Sequence, residues 1–385
     1  MIREKGKNIY EIAVDSGKDG NGRRIRKYER YKGSKKEAKA REAEIKSHMS
    51  QGTYVTNNNE TVRSYFESWL DIYVKHSLKP KSYDSYIHIC REFIDRYGSM
   101  KLKSLTPLNL MEFYNYLRDR GNVKKEVINQ NRRLTENTIL RYYAVINVAL
   151  KHAVKWQYIA YNPNERVNRP KKVKKESKFY DLDQTKTLLR ALDGEDIKYQ
   201  AIIRLALDTG CRLGELTGLE WDDIDLRTGI VSINKTTQRI NHQLVESTPK
   251  NNTSIRTVYI SEPTIEVLDK YKKFIYDIKE QLGNKWLGSK KVFTSDNGGP
   301  IHPDVPRKIL TRVLEKYKLP IINFHGLRHT SASLQLSSGT SVADISRRLG
   351  HADISTTLNI YSHAFNSGNQ IIVNKFNNMF NTKEG

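Results

Sequence analysis

Residues 324–330 read Phe324-His325-Gly326-Leu327-Arg328-His329-Thr330. In a helix, His325 and Arg328 are three positions apart and therefore point to the same side. Such a pair is common and carries little meaning alone. Further along, Leu349-Gly350-His351 places a glycine where a helix would end, which exposes His351, and Tyr361 follows ten residues later. His325, Arg328, His351 and Tyr361 thus supply two imidazoles, a guanidinium and a phenol as candidate site groups.

A second segment lies upstream and reads Asp208-Thr209-Gly210-Cys211-Arg212-Leu213-Gly214-Glu215-Leu216. It sets Arg212 at a glycine-flanked helix start, with Glu215 three residues on as a supporting carboxylate. An arginine and a glutamate at this spacing are typical of an ordinary surface pair, so this segment is also weak alone.

Taken together, the two segments fit chemistry on a phosphodiester. Two guanidiniums can clamp the phosphate bidentately and stabilise the charge that builds up during its displacement. Two imidazoles can hydrogen-bond the same phosphate or move a proton. A phenol becomes a covalent nucleophile when neighbouring cations lower its pKa from the ordinary value of about 10. The sequence has no Walker A loop, acidic metal cluster or metal-ligand spacing of His and Cys, so we expect neither cofactor nor metal.

The charge of the chain favours a polyanionic partner. Its formal net charge is +23, and residues 166–178 alone hold seven basic residues against one acidic residue. Nucleic acid and an anionic membrane surface both fit this excess. No run of 18 apolar residues is present, which argues against a membrane span, and the start of the chain lacks the apolar core of a signal peptide. The chain has only two cysteines, Cys90 and Cys211, which cannot form a disulfide framework. We therefore expect the protein in a reducing cytoplasm.

The first 56 residues predict a small ββα unit. Residues 8–15 and 24–31 are rich in β-branched and aromatic residues and are separated by glycines, which indicates a hairpin. A helix is expected to begin at Ser34. Basic side chains and an aromatic side chain alternate along the second strand. We therefore expect a DNA-contacting surface formed by Arg24, Arg26, Tyr28 and Arg30. The alternative is a solvated basic hairpin that binds DNA without specificity.

The remaining chain reads as mainly helical. Helical periodicity runs from Thr61 and continues over residues 82–97, 107–119 and 136–155, with aromatic stripes that favour a core over base stacking. Residues 184–193 and 197–208 also read as helices, and three short strands are expected at 229–234, 239–246 and 255–260. The basic run between these parts is expected to be an extended, solvated linker whose DNA contacts are Lys171, Lys172, Lys174 and Lys175.

On these residues the chain resembles the tyrosine recombinases, more specifically the integrases of phages and integrative conjugative elements. The order Arg, Lys, His-x-x-Arg, His, Tyr agrees with that family. The resemblance implies a multidomain, mainly α protein with small β-sheets. It comprises a small three-stranded arm-type DNA-binding domain at 1–56, a helical core-binding domain at 57–165, a basic linker at 166–178, and an α+β catalytic domain with a C-terminal tail at 179–385.

The resemblance also implies a role for each residue of the site. Arg212 and Arg328 would bind the phosphate, His325 and His351 would be the two histidine positions, and Tyr361 would be the nucleophile. Lys250 would be the general acid. Its neighbours, residues 251–253, are less basic than is usual in the family, which leaves Lys235 as a weaker candidate.

The implied function is integration and excision of a mobile element through a 3′-phosphotyrosyl intermediate. The implied partners are double-stranded DNA at core and arm sites and three further copies in a tetramer, with DNA-bending or excision factors as possible accessories and no membrane. The tail after Tyr361, with Ile371, Val373 and Phe376, would dock on a neighbouring protomer or pack on its own domain. The alternatives are a type IB topoisomerase-like enzyme and a catalytically inactive DNA-binding regulator.

Overall fold

The computed structural model describes residues 1–18, 20, 22–50, 59–119, 134–173, 178–240, 243–247 and 252–361. The chain divides into two compact units, Met1–Lys174 and Lys175–Gly385. The mainly α architecture with small sheets that the sequence predicted is confirmed. The finer division at residues 56, 165 and 178 stays a prediction. None of the described helices combines the length and the apolar composition that a bilayer crossing requires.

The N-terminal part of the first unit is a three-stranded antiparallel sheet covered by one helix. It comprises β1 (Ile2–Gly6), β2 (Ile9–Lys18), β3 (Arg24–Lys32) and α1 (Lys35–Ser50), with strand order β1-β2-β3. Tyr10, Ile12 and Val14 alternate on the buried face of β2 and pack against α1. As predicted, Ser34 caps α1: its Oγ accepts from the Glu37 backbone N–H at 3.3 Å.

The ββα prediction from the residue pattern was incomplete, because the structure adds strand β1 and so has the three strands that the family resemblance implies. Ile2 is the one apolar residue of that strand, so its sequence shows no alternation that would indicate a strand. Main-chain pairing with β2, with Ile2 opposite Ile12 and Arg3 opposite Glu11, forms the strand instead. The terminal ammonium of Met1 holds it further by binding the Glu42 carboxylate at 2.6 Å.

The rest of the first unit is helical and agrees closely with the prediction. Its helices are α2 (Val62–Trp69), α3 (Lys75–Ser77), α4 (Pro80–Tyr97), α5 (Pro107–Asp119) and α6 (Glu136–Lys155), and one π-helical turn, Leu70–Val74, joins α2 to α3. Tyr65, Phe66 and Trp69 are buried, so this aromatic stripe belongs to the core, as predicted.

The described part of the basic linker is less solvated than the sequence predicted. Val167 and Pro170 are buried, and the Asn137 side chain pairs with both backbone groups of Val173, at 2.8 and 3.0 Å. Val167, through its packing in the helical core, and Val173, through its bonds to Asn137, thus attach the basic run to the helical part of the first unit. Lys171 and Lys172 are exposed, whereas Lys174 and Lys175 lie outside the described residues.

The second unit surrounds a small sheet with helices. Its helices are α7 (Leu182–Leu192), α8 (Ile197–Thr209), α9 (Leu213–Gly218), α10 (Glu262–Leu282), α11 (Val305–Lys316), α12 (Phe324–Ser337), α13 (Val342–Leu349) and α14 (Ile354–Tyr361). Its strands are β4 (Ile224–Asp225), β5 (Ile230–Ile233), β6 (Thr236–Ile240), β7 (Gln243–Ser247) and β8 (Arg256–Tyr259). The core lies between α8, α10 and α12 and the sheet, and it includes Ile202, Leu205, Val231, Leu268 and Leu327.

The prediction of three strands in this unit was wrong in two places, because it lacked β4 and treated residues 239–246 as one strand. The segment 239–246 is not a single strand: β6 and β7 pair with each other as a separate two-stranded ladder, with Thr236 opposite Ser247 and Arg239 opposite Leu244. The three-stranded sheet has the order β4-β5-β8. Residues 239–246 contain no glycine or proline that would have divided this run in the sequence.

Candidate active site

Arg212 is positioned by the short connection between two helices. Helix α8 ends at Gly210, whose φ of 61° lies in the left-handed region that glycine tolerates, and α9 begins directly after Arg212. The Glu215 carboxylate returns to this start: it accepts from the Arg212 backbone N–H at 2.9 Å and from Arg212 Nη1 at 2.7 Å. The helix start therefore fixes the arginine at both its backbone and its guanidinium.

Glu215 is buried and shared between two arginines. Its Oε2 also accepts from Nη2 of Arg256 at 3.0 Å. Burial alone would raise the Glu215 pKa, but Arg256 and Arg212 together hold that pKa below its ordinary value. The carboxylate is therefore ionised at neutral pH and ties Arg212 to the start of β8.

Arg328 occupies the interior of the same region, on the second turn of α12. Its side chain is 2 % exposed; Nη1 donates to the Gly210 carbonyl at 2.8 Å and Nη2 to the Leu349 carbonyl at 2.7 Å. Burial and the neighbouring Arg212 charge lower the Arg328 pKa to about 9, so the guanidinium remains protonated at neutral pH. Arg328 thus joins the C-terminal ends of α8 and α13.

Three arginines converge on the last carbonyls of α13. Arg256 Nε donates to the Arg348 carbonyl at 2.6 Å, Arg328 to that of Leu349, and Arg212 Nη2 to that of Gly350 at 3.2 Å. Carbonyls at a helix C-terminus lack intrahelical partners and carry partial negative charge, which suits cationic donors. The structure thereby brings Arg212 and Arg328 together at the carbonyls directly before His351.

Sequence reasoning missed Arg256 and the side chain of Arg348. Arg348 Nη2 donates to the carbonyls of Asp208 and Tyr259, at 2.9 and 2.7 Å. Arg256 begins a strand and Arg348 lies in the last turn of α13, but their partners are distant in sequence, so no local signal marked them.

The histidines line the same region and are held neutral. His325 lies on the exposed side of the first turn of α12, and partial burial, followed by the charges of Arg328 and Arg212, lowers its pKa. His329 follows one turn later, with ring centroids 4.7 Å apart, and burial lowers its pKa to about 4. Neutral imidazoles can both donate and accept hydrogen bonds at neutral pH.

His351 connects α13 to the helix that carries Tyr361. Gly350 ends α13 with a φ of 67°, as the sequence predicted, and Nδ1 of His351 lies 2.8 Å from Oγ1 of the buried Thr357 in α14. Burial and the charge of Arg328 lower the His351 pKa to about 4. Tyr361 is the last residue of α14, and its side chain lies outside the described residues.

The two lysine candidates differ in what the structure describes. Lys250 lies outside the described residues, in the segment between β7 and β8. Lys235 is bound to two carboxylates, with Nζ 2.5 Å from Glu220 and 3.3 Å from Asp223. Burial alone would lower the Lys235 pKa, but these carboxylates raise it above its ordinary value. A proton held more tightly makes Lys235 a poorer acid, which favours Lys250.

The predicted DNA-contacting side chains of β3 share one exposed face in the first unit. Arg24, Arg26, Tyr28 and Arg30 are all exposed. The face is not purely basic, because Asp15 lies opposite Arg26 and Glu11 opposite Arg30 in the neighbouring strand. The residues 362–385, which include the predicted docking tail, lie outside the described residues, and among those that are described no His, Cys, Asp and Glu cluster could hold a metal ion.

Comparison with known proteins identifies relatives of both units. The model of the phage integrase family matches residues 178–367, and that of the phage integrase SAM-like domain matches residues 61–173. A protein of Caldanaerobacter subterraneus described as "Tyrosine recombinase XerC-like" is 29 % identical over 98 % of both chains.

Two solved structures share the fold. The integrase of transposon Tn1549 in complex with circular intermediate DNA has a TM-score of 0.64 at 20 % identity, covering 82 % of this chain and 99 % of that one. A lambda integrase tetramer bound to a Holliday junction has a TM-score of 0.55 at 15 % identity, covering 91 % and 95 %.

Proposed function

The chain belongs to the phage integrase family of tyrosine recombinases, and we propose that it integrates and excises a mobile DNA element through a 3′-phosphotyrosyl intermediate. It is a site-specific recombinase, and its substrate is double-stranded DNA. The net charge of +23 supports this polyanionic partner. The reaction takes place in the cytoplasm, in the presence of the host chromosome.

In the proposed first step, the Tyr361 phenol passes its proton to a neutral imidazole of the site, and its oxygen attacks the scissile phosphorus. A phosphotyrosyl bond forms, the bond to the 5′-oxygen breaks, and Lys250 protonates that leaving oxygen. In the second step, a 5′-hydroxyl of the partner duplex gives its proton to Lys250 and attacks the phosphotyrosyl ester, and the released tyrosine regains its proton from the imidazole. One phosphate ester replaces another at each step, so the exchange requires no nucleotide hydrolysis.

The arginines and histidines stabilise the displacement. Arg212, whose side chain is 40 % exposed, is the more accessible guanidinium and binds the non-bridging oxygens of the phosphate. Arg328 adds its charge from the interior. His325 and His351, neutral because their pKa values are lowered, hydrogen-bond the same phosphate.

The convergence of Arg212 and Arg328 on one helix end is the observation that supports their proposed roles. Arg212 and Arg328 come from different helices, 116 positions apart in sequence, yet they donate to the adjacent carbonyls of Gly350 and Leu349. The next residue is His351, which is bonded to the helix that ends at Tyr361. The grouping of Arg212, Arg328 and His351 around one helix end supports the proposed chemistry.

Strand exchange between two duplexes, each cut on both strands, requires four active sites, so we propose that the protein acts as a homotetramer on DNA. The lambda integrase tetramer on a Holliday junction supports this assembly. In the proposed division of labour, residues 57–165 and the catalytic domain enclose the core site, while residues 1–56 bind flanking arm sites. Lys171, Lys172, Lys174 and Lys175 contact the DNA backbone between them, and accessory DNA-bending or excision factors set the direction.

A two-duplex joining assay tests the function. The two duplexes carry the junction sequences of the element that encodes the protein, obtained by sequencing those junctions. We expect recombinant joints with the wild type and none with Tyr361→Phe. Relaxation of supercoiled DNA without joints would instead indicate a type IB topoisomerase-like enzyme, and binding without cleavage would indicate a regulator.

A further inference from the structure

Arg256 is a buried arginine that none of the chemistry above employs. It is the first residue of β8, and its side chain is 6 % exposed. All three guanidinium nitrogens are engaged: Nε donates to the Arg348 carbonyl at 2.6 Å, Nη1 to the Ser254 carbonyl at 3.1 Å, and Nη2 to Glu215 at 3.0 Å. Each of the three guanidinium nitrogens of Arg256 thus binds a group of the protein itself.

The surroundings of Arg256 hold it in a single orientation. Gly350 packs directly over it, since a Cβ at that position would lie 3.0 Å from Arg256 Nη1 and 3.1 Å from the Thr253 carbonyl. The bond to the Arg348 carbonyl attaches the guanidinium to the last turn of α13. Arg256 is therefore a rigid support on which the Glu215 carboxylate rests.

Glu215 transmits that support to Arg212. One carboxylate oxygen accepts from Arg212 Nη1 at 2.7 Å, and the other accepts from Arg256 Nη2. Arg256 lowers the Glu215 pKa more than Arg212 does. Without Arg256, this buried carboxylate would lose its larger stabilising charge, and it would no longer fix the plane of the Arg212 guanidinium.

We propose that Arg256 is a positioning residue for DNA cleavage, which orients Arg212 through the shared Glu215 carboxylate and does not touch the DNA. The inference rests on the proposed role of Arg212 in binding the scissile phosphate. A guanidinium that must present two N–H groups to a phosphate is sensitive to small rotations, so loss of its support slows the chemical step.

Single-turnover cleavage of a nicked substrate tests the proposal in the full-length protein. Arg256→Gln is expected to slow cleavage by about 10- to 100-fold at saturating DNA, the range typical of a small misplacement, with DNA affinity unchanged. In the Arg212→Ala background the same change is expected to have little further effect, because no guanidinium remains to be oriented.

Arg348→Gln is the matched control. Its guanidinium also binds backbone carbonyls in this unit, but these belong to Asp208 and Tyr259 and it is Arg256 that binds Glu215. We expect any loss of cleavage in Arg348→Gln to be equally large in the Arg212→Ala background. If the effect of Arg256→Gln is equally large in both backgrounds as well, Arg256 is only structural and the proposal is wrong.

A neutral substrate provides a second measurement that uses single variants. A methylphosphonate at the scissile position lacks the charge that Arg212 binds, so Arg256→Gln should cleave it nearly as fast as the wild type does. Equal slowing on the charged and neutral substrates would overturn the proposal. If the wild type forms no covalent adduct on either substrate, the proposed function itself fails, and the two failures are thereby distinguished.

Discussion

The Arg328 guanidinium donates to the Gly210 carbonyl at 2.8 Å and so connects α12 to the C-terminal end of α8. With its second bond, to Leu349, it also holds the end of α13. Arg212, by contrast, is anchored by Glu215 and is 40 % exposed. The two proposed phosphate-binding arginines therefore differ in how much of the fold depends on them.

This difference predicts different outcomes for lysine replacement. A lysine keeps the charge but cannot present two N–H groups in one plane, so Arg212→Lys and Arg328→Lys should each slow cleavage by about 100-fold. DNA binding should persist in both, because phosphate contacts elsewhere supply the affinity. Only Arg328→Lys should also lower the melting temperature, since one ammonium cannot span two carbonyls.

Cleavage, mobility-shift and thermal melting measurements separate these effects. Equal losses of binding and cleavage in either variant would make that arginine an ordinary phosphate anchor.

Lys250 is predicted to act on the leaving oxygen alone. A general acid matters only when the leaving group needs a proton, and a 5′-bridging sulfur departs without one. The sulfur substrate should therefore restore cleavage to Lys250→Ala but not to Arg212→Ala. Lys235→Ala is the control, because Lys235 is bound to Glu220 and Asp223. Rescue of Lys235→Ala together with no rescue of Lys250→Ala would transfer the acid role to Lys235.

His329 predicts a dependence of stability on pH. Burial lowers its pKa from 6.5 to about 4, so between these values the unfolded chain binds a proton that the folded chain does not. The free energy of unfolding should accordingly be constant for this group above about pH 6.5 and decrease as the pH falls toward 4. Melting temperatures across this range should fall less steeply for His329→Gln than for the wild type. If the melting temperatures of the two proteins fall equally with pH, the pKa of His329 is not lowered by folding.

The exposed face of β3 is predicted to recognise arm sites. Replacing Arg24 and Arg26 by alanine should weaken binding to flanking arm DNA while core-site cleavage persists. The matched control replaces Lys36 and Lys39 by alanine. Both lysines are exposed on α1, in the same N-terminal part of the first unit, and carry the same total charge as Arg24 and Arg26. If both double variants lose arm-site affinity equally, the face contributes only non-specific charge.

Features of this protein that are encoded locally could be predicted from its sequence. Helices 107–119 and 136–155 follow from apolar periodicity, and the end of α13 follows from Gly350. The residue pattern did not predict strand β1, because pairing with β2, and not the composition of β1, determines that strand. The contacts of Arg256 could not be predicted, since they reach Glu215 and the Arg348 carbonyl, 41 and 92 residues away.

A nicked suicide substrate identifies the nucleophile. Release of the short strand beyond the nick prevents religation, so the covalent protein–DNA adduct accumulates. Peptide mapping should place the DNA on Tyr361, one of 22 tyrosines, and Tyr361→Phe should bind the substrate without forming the adduct. Adduct formation by Tyr361→Phe, or DNA attached to another tyrosine, would show that Tyr361 is not the nucleophile.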